Sequence, residues 1–364
     1  MLLKEIMAYL EERAHPALQE NYDNSGLIIG SPDLEVRGAL ICLDSTPEVI
    51  REAIALGCNL VIAHHPIIFS GLKKINGKNY IERTVIEAIK NDIAIYAIHT
   101  NLDNVHDGVN RKIADKLGLQ NLEVLEPKQH VLNKIVVFVP AGHAAAVRNA
   151  MFGAGAGEIG NYDECSFNTS GEGTFRAGEA AKPFTGKTGE LHVEQEVRIE
   201  TIAPAYRVRA IIDAMKAAHP YEEVAFDVLP LLNDWKSVGS GLVGDLPEAM
   251  ETTAFLLSLK RTMNTGCVRY TAPHKPNVKR IAVCGGSGSF LLKNAIRAKA
   301  DVFVTADFKY HQFFDADGMI TIADIGHYES EQYTVELLGG WLAQKFPTFA
   351  THLTGVATNP IHYL

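Results

Sequence analysis

The chain has 364 residues, of which 47% are hydrophobic and 21% charged, a composition typical of a globular protein with more than one domain. The formal net charge of -9 argues against binding to nucleic acid or an anionic membrane through bulk electrostatics. The cysteines are scattered and form no C-x-x-C pair, which favours reduced thiols in a cytoplasmic protein over a disulfide framework. No apolar run reaches membrane-spanning length, so no membrane partner is expected.

The N-terminal part, residues 1–130, shows the pattern of an α/β half. Residues Met1 to Arg13 predict an amphipathic helix. A strand over Ala39 to Leu43 is followed by Ser45-Thr46-Pro47-Glu48, where a hydroxyl cap, a proline and an early acid predict the start of a helix. Leu60 to Ala63 is apolar on both faces, as in a buried parallel strand. A third strand over Ile93 to Ile98, preceded and followed by helices, completes this half.

The pattern changes in the middle of the chain, from residue 131 to residue 234. Strands are predicted near Ile135 to Pro140 and near Val224 to Leu229, with helices near Ala144 to Phe152 and Tyr206 to Ala217. The order is strand, helix, strand, strand, helix, strand. It predicts a ferredoxin-like α+β domain inserted between two other regions.

Residues 235–364 return to an α/β pattern that repeats the spacing of the first half. A strand over Arg280 to Cys284 leads through a glycine-rich turn and a helix to a strand over Asp301 to Thr305. Asn59 to Ile62 match Asp301 to Val304 in this comparison. We interpret the two halves as a degenerate internal duplication, split by the insert and packed together.

The residues that indicate chemistry lie where predicted strands end, which is where ligands bind in α/β sheets. His64 and His65 end the second strand of the first half, and Asp103 follows the third strand. In the second half, His327 and Glu331 have the i,i+4 spacing that places them on one helix face. Three histidines and two carboxylates exceed the needs of one tetrahedral zinc and suit two divalent ions bridged by a carboxylate.

Each of these signals has a plainer interpretation. A His-x-x-x-Glu pair is common on helix surfaces, and Asp103 alone could cap a helix. Gly285-Gly286-Ser287-Gly288 fits a tight strand-to-helix turn at least as well as a phosphate cradle, because it lacks the P-loop lysine. His99, Asp307 and His311 lie close to the predicted ligands in sequence, and we expect them to act as acid/base or orienting groups. The joint occurrence at matched strand ends favours a metal site.

The chain resembles the Nif-three-like proteins, which are also called GTP cyclohydrolase 1 type 2 homologues, in four motifs: Tyr22-Asp23-Asn24-x-Gly26-Leu27, His64-His65-Pro66, His99-Thr100-Asn101-Leu102-Asp103 and His327-x-x-x-Glu331. Two segments resemble the extra domain of longer bacterial members: Gly155-x-Gly157-x-Ile159-Gly160-Asn161-Tyr162 and His219-Pro220-Tyr221-Glu222-Glu223. One departure is Thr305-Ala306-Asp307, where Thr-Gly-Asp is expected. The added methyl group could narrow the loop but removes no ligand.

The resemblance implies a dinuclear site in which the ligand positions are matched by His64, His65, Asp103, His327 and Glu331, with Glu331 bridging. It also implies a ring-shaped homohexamer, a trimer of dimers, whose insert resembles the trimerising domains of PII and CutA. The family label implies hydrolysis of GTP to formate and dihydroneopterin triphosphate. The ligand types suit zinc, iron, nickel or manganese alike.

Two other functions remain open at this stage. A dinuclear site also suits a metallophosphatase or nuclease that acts on a phosphate-bearing substrate, because a fold does not determine a substrate. Alternatively, the chain forms a non-enzymatic ring that binds metal and, through its insert, a regulatory partner or metabolite.

Overall fold

The computed structural model describes residues 1–364. The chain forms two compact units, one built from residues 1–126 and 237–364 and the other from residues 127–236. No helix is both long enough and apolar enough to cross a membrane.

The chain contains both helices and strands throughout its length. The helices are α1 (Leu3–Arg13), α2 (Pro47–Ala55), α3 (Tyr80–Lys90), α4 (Thr100–Asp103), α5 (Val109–Lys116), α6 (Ala144–Gly153), α7 (Val208–Ala218), α8 (Thr252–Thr262), α9 (Leu292–Arg297), α10 (His327–Glu331) and α11 (Thr334–Lys345). The strands of the first half and the insert are β1 (Gly26–Ile29), β2 (Ala39–Cys42), β3 (Leu60–Ala63), β4 (Ala94–Ala97), β5 (Gln120–Lys128), β6 (Leu132–Pro140), β7 (Ser166–Arg176), β8 (Leu191–Pro204) and β9 (Phe226–Pro230). The remaining strands are β10 (Trp235–Glu251), β11 (Arg269–Tyr270), β12 (Asn277–Ser287), β13 (Val302–Ala306), β14 (Thr321–Asp324) and β15 (Thr351–Leu353).

The first sheet has the order β1-β4-β3-β2-β15. Strands β2, β3, β4 and β15 are parallel, whereas β1 pairs with β4 in the antiparallel sense. Every residue of β2, β3 and β4 is buried, which explains why these strands are apolar on both faces. The helix after β2 begins as predicted, because the side chain of Thr46 accepts a hydrogen bond from the backbone of Val49 and Pro47 occupies the first turn.

The second sheet has the order β11-β14-β13-β12-β10-β5. Strands β12, β13 and β14 are parallel, and β11 pairs with β14 in the antiparallel sense. Three parallel strands followed by an antiparallel edge strand therefore occur in both sheets. The residue before the middle parallel strand of each sheet, β3 or β13, accepts backbone hydrogen bonds through its side chain. Asn59 accepts one from the N–H of Arg37, and Asp301 accepts two, from the N–H groups of Lys279 and Arg280.

The unit of residues 127–236 has the element order β6-α6-β7-β8-α7-β9, which is the predicted order. Its sheet is antiparallel with the order β7-β8-β6-β9. Helices α6 and α7 cover one face of this sheet, where Ile135, Val137 and Ile199 pack against Val147 and Met215. The unit therefore has a hydrophobic core of its own.

Candidate metal centre

Two adjacent histidines directly follow strand β3, at the carboxyl end of the parallel strands of the first sheet. The backbone N–H of His64 donates to the carbonyl of Cys42 over 3.1 Å, and that of His65 donates to Leu43 over 2.9 Å. The ladder with β2 thus continues through both histidines. Pro66, which has no N–H, then ends it. His64 is fully buried and His65 is partly buried, so the two side chains face different surroundings.

Two short helices supply further polar groups to the same place. His99 immediately precedes α4 and Asp103 is its last residue, whereas His327 and Glu331 are the first and last residues of α10. Gly326 has φ 93°, a conformation that favours glycine, and this turn leads the chain from β14 into α10. Both helices start at the carboxyl end of a parallel strand, where side chains from neighbouring strands meet.

The side chain of Glu331 lies at the middle of the cluster. Its Oε2 atom is 3.0 Å from Nε2 of His65, 3.2 Å from Nε2 of His327 and 3.9 Å from Nε2 of His64. The Nε2 atoms of His65 and His327 are 3.3 Å apart. Nε2 of His64 is 3.6 Å from Oδ1 of Asp103. Ligand atoms at about 2.1 Å from a shared tetrahedral ion stand about 3.4 Å apart, so these spacings suit metal coordination.

Each histidine of the cluster is oriented through its Nδ1 atom. The partners and distances are the backbone carbonyl of Ile98 for His64 (2.9 Å), Asp44 for His65 (2.8 Å), Asp23 for His99 (2.7 Å) and Asp307 for His327 (2.7 Å). Because Nδ1 is occupied in all four rings, Nε2 is the atom left for a ligand. Such orienting partners are the usual companions of metal-binding imidazoles.

Two buried atoms of the cluster have no hydrogen-bond partner: Nε2 of His64 and Oδ1 of Asp103. The carbonyl of Ile98 accepts a hydrogen bond from Nδ1 of His64, so in the neutral form of the ring Nε2 carries a lone pair. Two acceptors that face each other in a buried place are costly unless a cation lies between them. The donor set of imidazole and carboxylate therefore fits a divalent metal ion. Three groups of side chains could hold such an ion: His64, Asp103 and Glu331; His65, His327 and Glu331; and His64, His65 and His99.

The electrostatics of the cluster favour positive charge. Burial acts to lower the pKa of His65, but hydrogen bonds to Asp44 and Glu331 outweigh it and raise the pKa to about 10. Burial also opposes the charged form of His327, yet the negative charge of Glu331 raises its pKa to about 11. Glu331 itself stays ionised, because the nearby charge of His327 outweighs its burial and holds its pKa well below the ordinary value. A metal ion must compete with these protons.

The other carboxylates of the site divide into two kinds. Burial and the charge of Glu331 raise the pKa of Asp103 to about 7. The pKa of Asp307 is lowered, first by its hydrogen bond from His327. For Asp44 and Asp23, burial opposes ionisation, but hydrogen bonds from His65 and His99 outweigh it and lower both pKa values. The orienting carboxylates are thus held anionic, whereas Asp103 is the group that would gain most from a cation.

The glycine-rich turn predicted after Cys284 is, in the structure, the irregular carboxyl end of β12, and it packs against Glu331. A Cβ atom on Gly286 would lie 2.4 Å from Oε1 of Glu331, and one on Gly285 would lie 3.2 Å from its Cγ. The backbone N–H of Gly286 donates to Ser330, and that of Gly285 donates to Asn110. The turn therefore has a steric role, since it leaves room for the central carboxylate.

The segment after β15 forms one wall of the site. Residues 359–361 line the same cavity as the cluster, whose volume is about 540 Å³. The hydroxyl of Thr358 donates to Oδ2 of Asp44 over 2.7 Å, while Oδ1 of Asp44 accepts from His65. Asn359 donates to Glu329. Asp44 is therefore held from both sides.

The structure brings most of the predicted site residues together. The five predicted ligands and His99 lie in the groups that could hold a metal, and Asp307 contacts His327. His311 does not join them, because its exposed ring contacts Tyr310 and Phe314 and lies outside the cavity lining.

Sequence reasoning missed two orienting groups, Asp23 and Asp44. Asp44 stands directly after the strand beside β3, a position that could have indicated its role. Asp23 belongs to a turn far along the chain from His99, and nothing local indicates their contact.

The alanine that departs from the expected Thr-Gly-Asp motif fits its position. Ala306 is buried and its backbone is not in the left-handed region, so its methyl group is accommodated. The left-handed residue is Asp307, with φ 59°.

Fold and site together define an α/β protein with a buried histidine and carboxylate centre that could hold metal. The family model for Duf34/NIF3 (NGG1p interacting factor 3) matches residues 1–360, and the chain belongs to this family. A protein of Halalkalibacterium halodurans named "GTP cyclohydrolase 1 type 2 homolog" is 42% identical over 322 residues, 87% of this chain and 86% of the relative. A Bacillus subtilis protein of the same name is 39% identical over 327 residues, 89% of this chain and 88% of the relative.

Solved structures agree with this assignment. The crystal structure of a Bacillus cereus protein related to NIF3 superimposes with a TM-score of 0.87 at 40% identity, covering 100% of this chain and 99% of that one. A Staphylococcus aureus protein superimposes with a TM-score of 0.79 at 30% identity, with the same coverage.

Proposed function

We propose that the chain holds two divalent cations side by side. His64 and Asp103 would hold one ion, His65 and His327 the other, and Glu331 would bridge the two. The proposal is supported by the position of Glu331, whose Oε2 atom lies within 3.9 Å of all three imidazole nitrogens. It is also supported by the partnerless buried pair of His64 and Asp103. Zinc, iron, manganese and nickel all suit this donor set.

The proposed activity is that of a metal-dependent hydrolase of the GTP cyclohydrolase 1 type 2 kind. It would convert GTP and water to formate and dihydroneopterin triphosphate. This part of the proposal depends on the family and on the printed names of the relatives. A pair of divalent ions supplies Lewis acidity and a bound water whose pKa falls towards about 7.

The protein side chains have separate tasks in this proposal. His99 is the acid/base candidate: Asp23 holds its Nδ1 proton, which leaves the Nε2 lone pair free to accept a proton. Asp307 and Asp44 orient His327 and His65. His311 has no task, because its ring lies away from the cavity.

We also propose the finer architecture that the family resemblance implies. The two α/β halves would be products of a duplication, which is supported by the matching order of β1-β4-β3-β2 and β11-β14-β13-β12. The unit of residues 127–236 would be a trimerising domain of the PII and CutA kind within a cytoplasmic homohexamer. Light scattering of the intact protein tests the assembly.

The decisive experiment combines metal analysis with turnover. Protein purified without added metal is analysed for bound elements, stripped with a chelator, and titrated with zinc and with manganese. We expect two ions per chain and formate release from GTP that stops after stripping and returns with metal. His65→Ala should lose an ion and the activity. His311→Ala is the matched control, because it removes an imidazole that does not belong to the cluster, and it should lose neither.

Two results would contradict the proposal. Formate release that survives both stripping and His65→Ala would exclude the metal centre as the catalyst. Full metal loading without formate release, together with turnover of phosphate esters, would favour a metallophosphatase instead.

A further inference from the structure

The cavity that contains the candidate metal centre is lined in part by aromatic rings that are at least half exposed. Tyr22, Phe69 and Phe290 all line the cavity, and their exposed fractions are 65%, 50% and 60%. Large apolar rings are rarely left in contact with water at a concave site unless they bind something. The rings come from three separate segments of the first unit, so no single exposed loop accounts for them.

Two of these rings form a surface next to the cluster of histidines and carboxylates. The ring centroids of Tyr22 and Phe69 are 6.2 Å apart with an angle of 35° between the planes. Phe69 also meets the ring of His99 edge-on, at 6.1 Å and 75°. Since the His99 ring lies 5.3 Å from those of His64 and His65, a flat group stacked on this surface would reach the cluster. Planar rings are the partners that such faces prefer.

The charged side chains of the cavity also favour an uncharged ring over a phosphate group as the recognised part of a ligand. No lysine or arginine is among the residues that line it, and apart from the histidines its charged side chains are the carboxylates Glu20, Asp44, Asp103 and Glu331. Proteins recognise phosphate groups through arginine, lysine, arrays of backbone N–H groups or bound divalent cations. Because the lining has no arginine or lysine, the proposed cations are the groups here that would attract a phosphate. The glycine-rich turn does not provide such an array, because the N–H groups of Gly285 and Gly286 are bonded to Asn110 and Ser330.

We infer that the site recognises its substrate through a flat, uncharged heteroaromatic ring stacked on Tyr22 and Phe69, and not through a phosphate group. The inference deepens the proposed function and rests on it in one respect, namely that the metal cluster acts on whatever this cavity binds. Of the proposed substrate GTP, the guanine ring would be bound and the triphosphate would extend away from the carboxylates.

Binding measurements on the metal-free and the manganese-loaded protein test this inference. The full chain, in each form, is titrated by calorimetry with guanosine, with GTP and with inorganic tripolyphosphate. In the metal-free protein, where no divalent cation can hold the phosphates, we expect guanosine and GTP to bind with dissociation constants within about threefold of each other, and tripolyphosphate to bind at least about tenfold more weakly. Adenosine and nicotinamide extend the series of uncharged rings.

Three variants identify the surface that binds the ring. Tyr22→Leu and Phe69→Leu keep an apolar side chain but remove the aromatic face, and each should weaken guanosine binding about tenfold, the scale of one stacked base. Tyr162→Leu is the matched control, because this ring is 75% exposed and lies outside the cavity. It should bind guanosine like the unchanged protein. Metal content is measured for each variant, so that loss of an ion is not mistaken for loss of stacking.

The outcomes separate the inference from the proposed function. Tripolyphosphate binding as tight as GTP in the metal-free protein, no binding of any uncharged ring, or a Phe69→Leu variant equal to Tyr162→Leu would each overturn the inference, even if GTP is hydrolysed. Ring binding that depends on Phe69, without formate release from GTP, would uphold the inference and contradict the GTP cyclohydrolase activity.

Discussion

The two sheets of the larger unit share a run of three parallel strands with an antiparallel edge strand, but they differ in the carboxylate that follows the third parallel strand. After the third parallel strand of each half, a histidine and a carboxylate stand four residues apart: His99 and Asp103 in the first half, His327 and Glu331 in the second. In both halves another carboxylate holds the histidine Nδ1 atom. Glu331 lies within 3.9 Å of three imidazoles, whereas Asp103 pairs only with His64. One additional methylene thus distinguishes a central carboxylate from a peripheral one.

The ends of the middle strands differ more strongly. By the match of the two halves, His64 and His65 correspond to Ala306 and Asp307. The first half thus supplies two imidazoles where the second supplies a methyl group and a carboxylate that orients His327. Two sheets with similar strand orders therefore supply different donors: residues that follow the first sheet provide most of the nitrogen donors, and the helix that follows the second provides the central carboxylate.

The strongest test of this comparison neutralises each of the two carboxylates in turn. Glu331→Gln should abolish binding of both ions, because it removes a negative oxygen from both groups of ligands. Asp103→Asn should weaken only the ion held with His64. Calorimetric titration with zinc and elemental analysis measure the number of bound ions. A Glu331→Gln protein that keeps one ion at unchanged affinity would contradict the bridging role.

The glycine-rich turn offers the next largest effect. Gly286→Ala combines a left-handed backbone (φ 59°) with a Cβ atom 2.4 Å from Glu331, so the carboxylate must move. We expect a loss of stability of about 1–2 kcal/mol from the backbone and at least a roughly tenfold loss of metal affinity. Gly57→Ala is the matched control, because it has φ 71° and nothing within 4 Å of the new Cβ atom. It should lose stability alone. Equal metal affinity in both variants would show that the turn does not constrain Glu331.

Removing the groups that orient His65 should weaken zinc binding, and the loss should be larger for Asp44, which contacts His65, than for Thr358, which contacts only Asp44. Asp44→Ala should lower zinc affinity about 10- to 100-fold, because His65 loses the acceptor that fixes its ring. Thr358→Val should lower it about threefold, since Asp44 loses one of two contacts. Thr354→Val serves as the control: Thr354 lies in the same segment but bonds to Glu52, away from the cluster. If Thr354→Val and Thr358→Val weaken zinc binding equally, the segment matters only as a whole.

The sequence allowed much of the fold to be predicted. The buried strands β2, β3 and β13 are apolar on both faces, and the cap at Thr46 and Pro47 marks the start of α2, so local patterns suffice there. The helix predicted between the glycine-rich turn and the strand from Asp301 begins only at Leu292, because a 3₁₀ turn over Ser289–Leu291 precedes α9. Local patterns specify which elements form better than where they begin and end.

The site was predictable only in part, for a physical reason. His64, His65 and Glu331 stand at strand and helix ends, where position alone indicates a role. The contacts of Asp23 with His99 and of Thr358 with Asp44 join residues 76 and 314 positions apart, and only the packed chain brings them together. The stacking surface of Tyr22 and Phe69 was missed for the same reason, since its rings are separated by a helix and three strands.

The smallest expected effect concerns the matched positions Asn59 and Asp301, which fix the middle strands. Burial acts to raise the pKa of Asp301, but hydrogen bonds from Lys275 and the backbone N–H groups of Lys279 and Arg280 outweigh it, so the pKa is lowered. Its contribution to stability is therefore present above about pH 4, the unfolded pKa, and is lost as the pH falls through the lower folded value. Asp301→Asn keeps an oxygen for both backbone donors and loses only Lys275, which should cost about 1 kcal/mol at pH 7 and less at pH 3.

The reverse exchange adds a carboxylate instead of removing one, and its destabilisation should also shrink as the pH falls. Asn59 donates its amide to the carbonyl of Glu35, so Asn59→Asp places a carboxylate against an acceptor and destabilises the sheet at neutral pH. Protonation restores a donor, and the difference from the unchanged protein should shrink as the pH falls towards 4. Urea unfolding, followed by Trp341 fluorescence in a Trp235→Phe background, measures both variants. An Asp301→Asn destabilisation that does not shrink below pH 4 would contradict the ion pair with Lys275. An Asn59→Asp destabilisation that stays constant as the pH falls would contradict the need for a donor opposite Glu35.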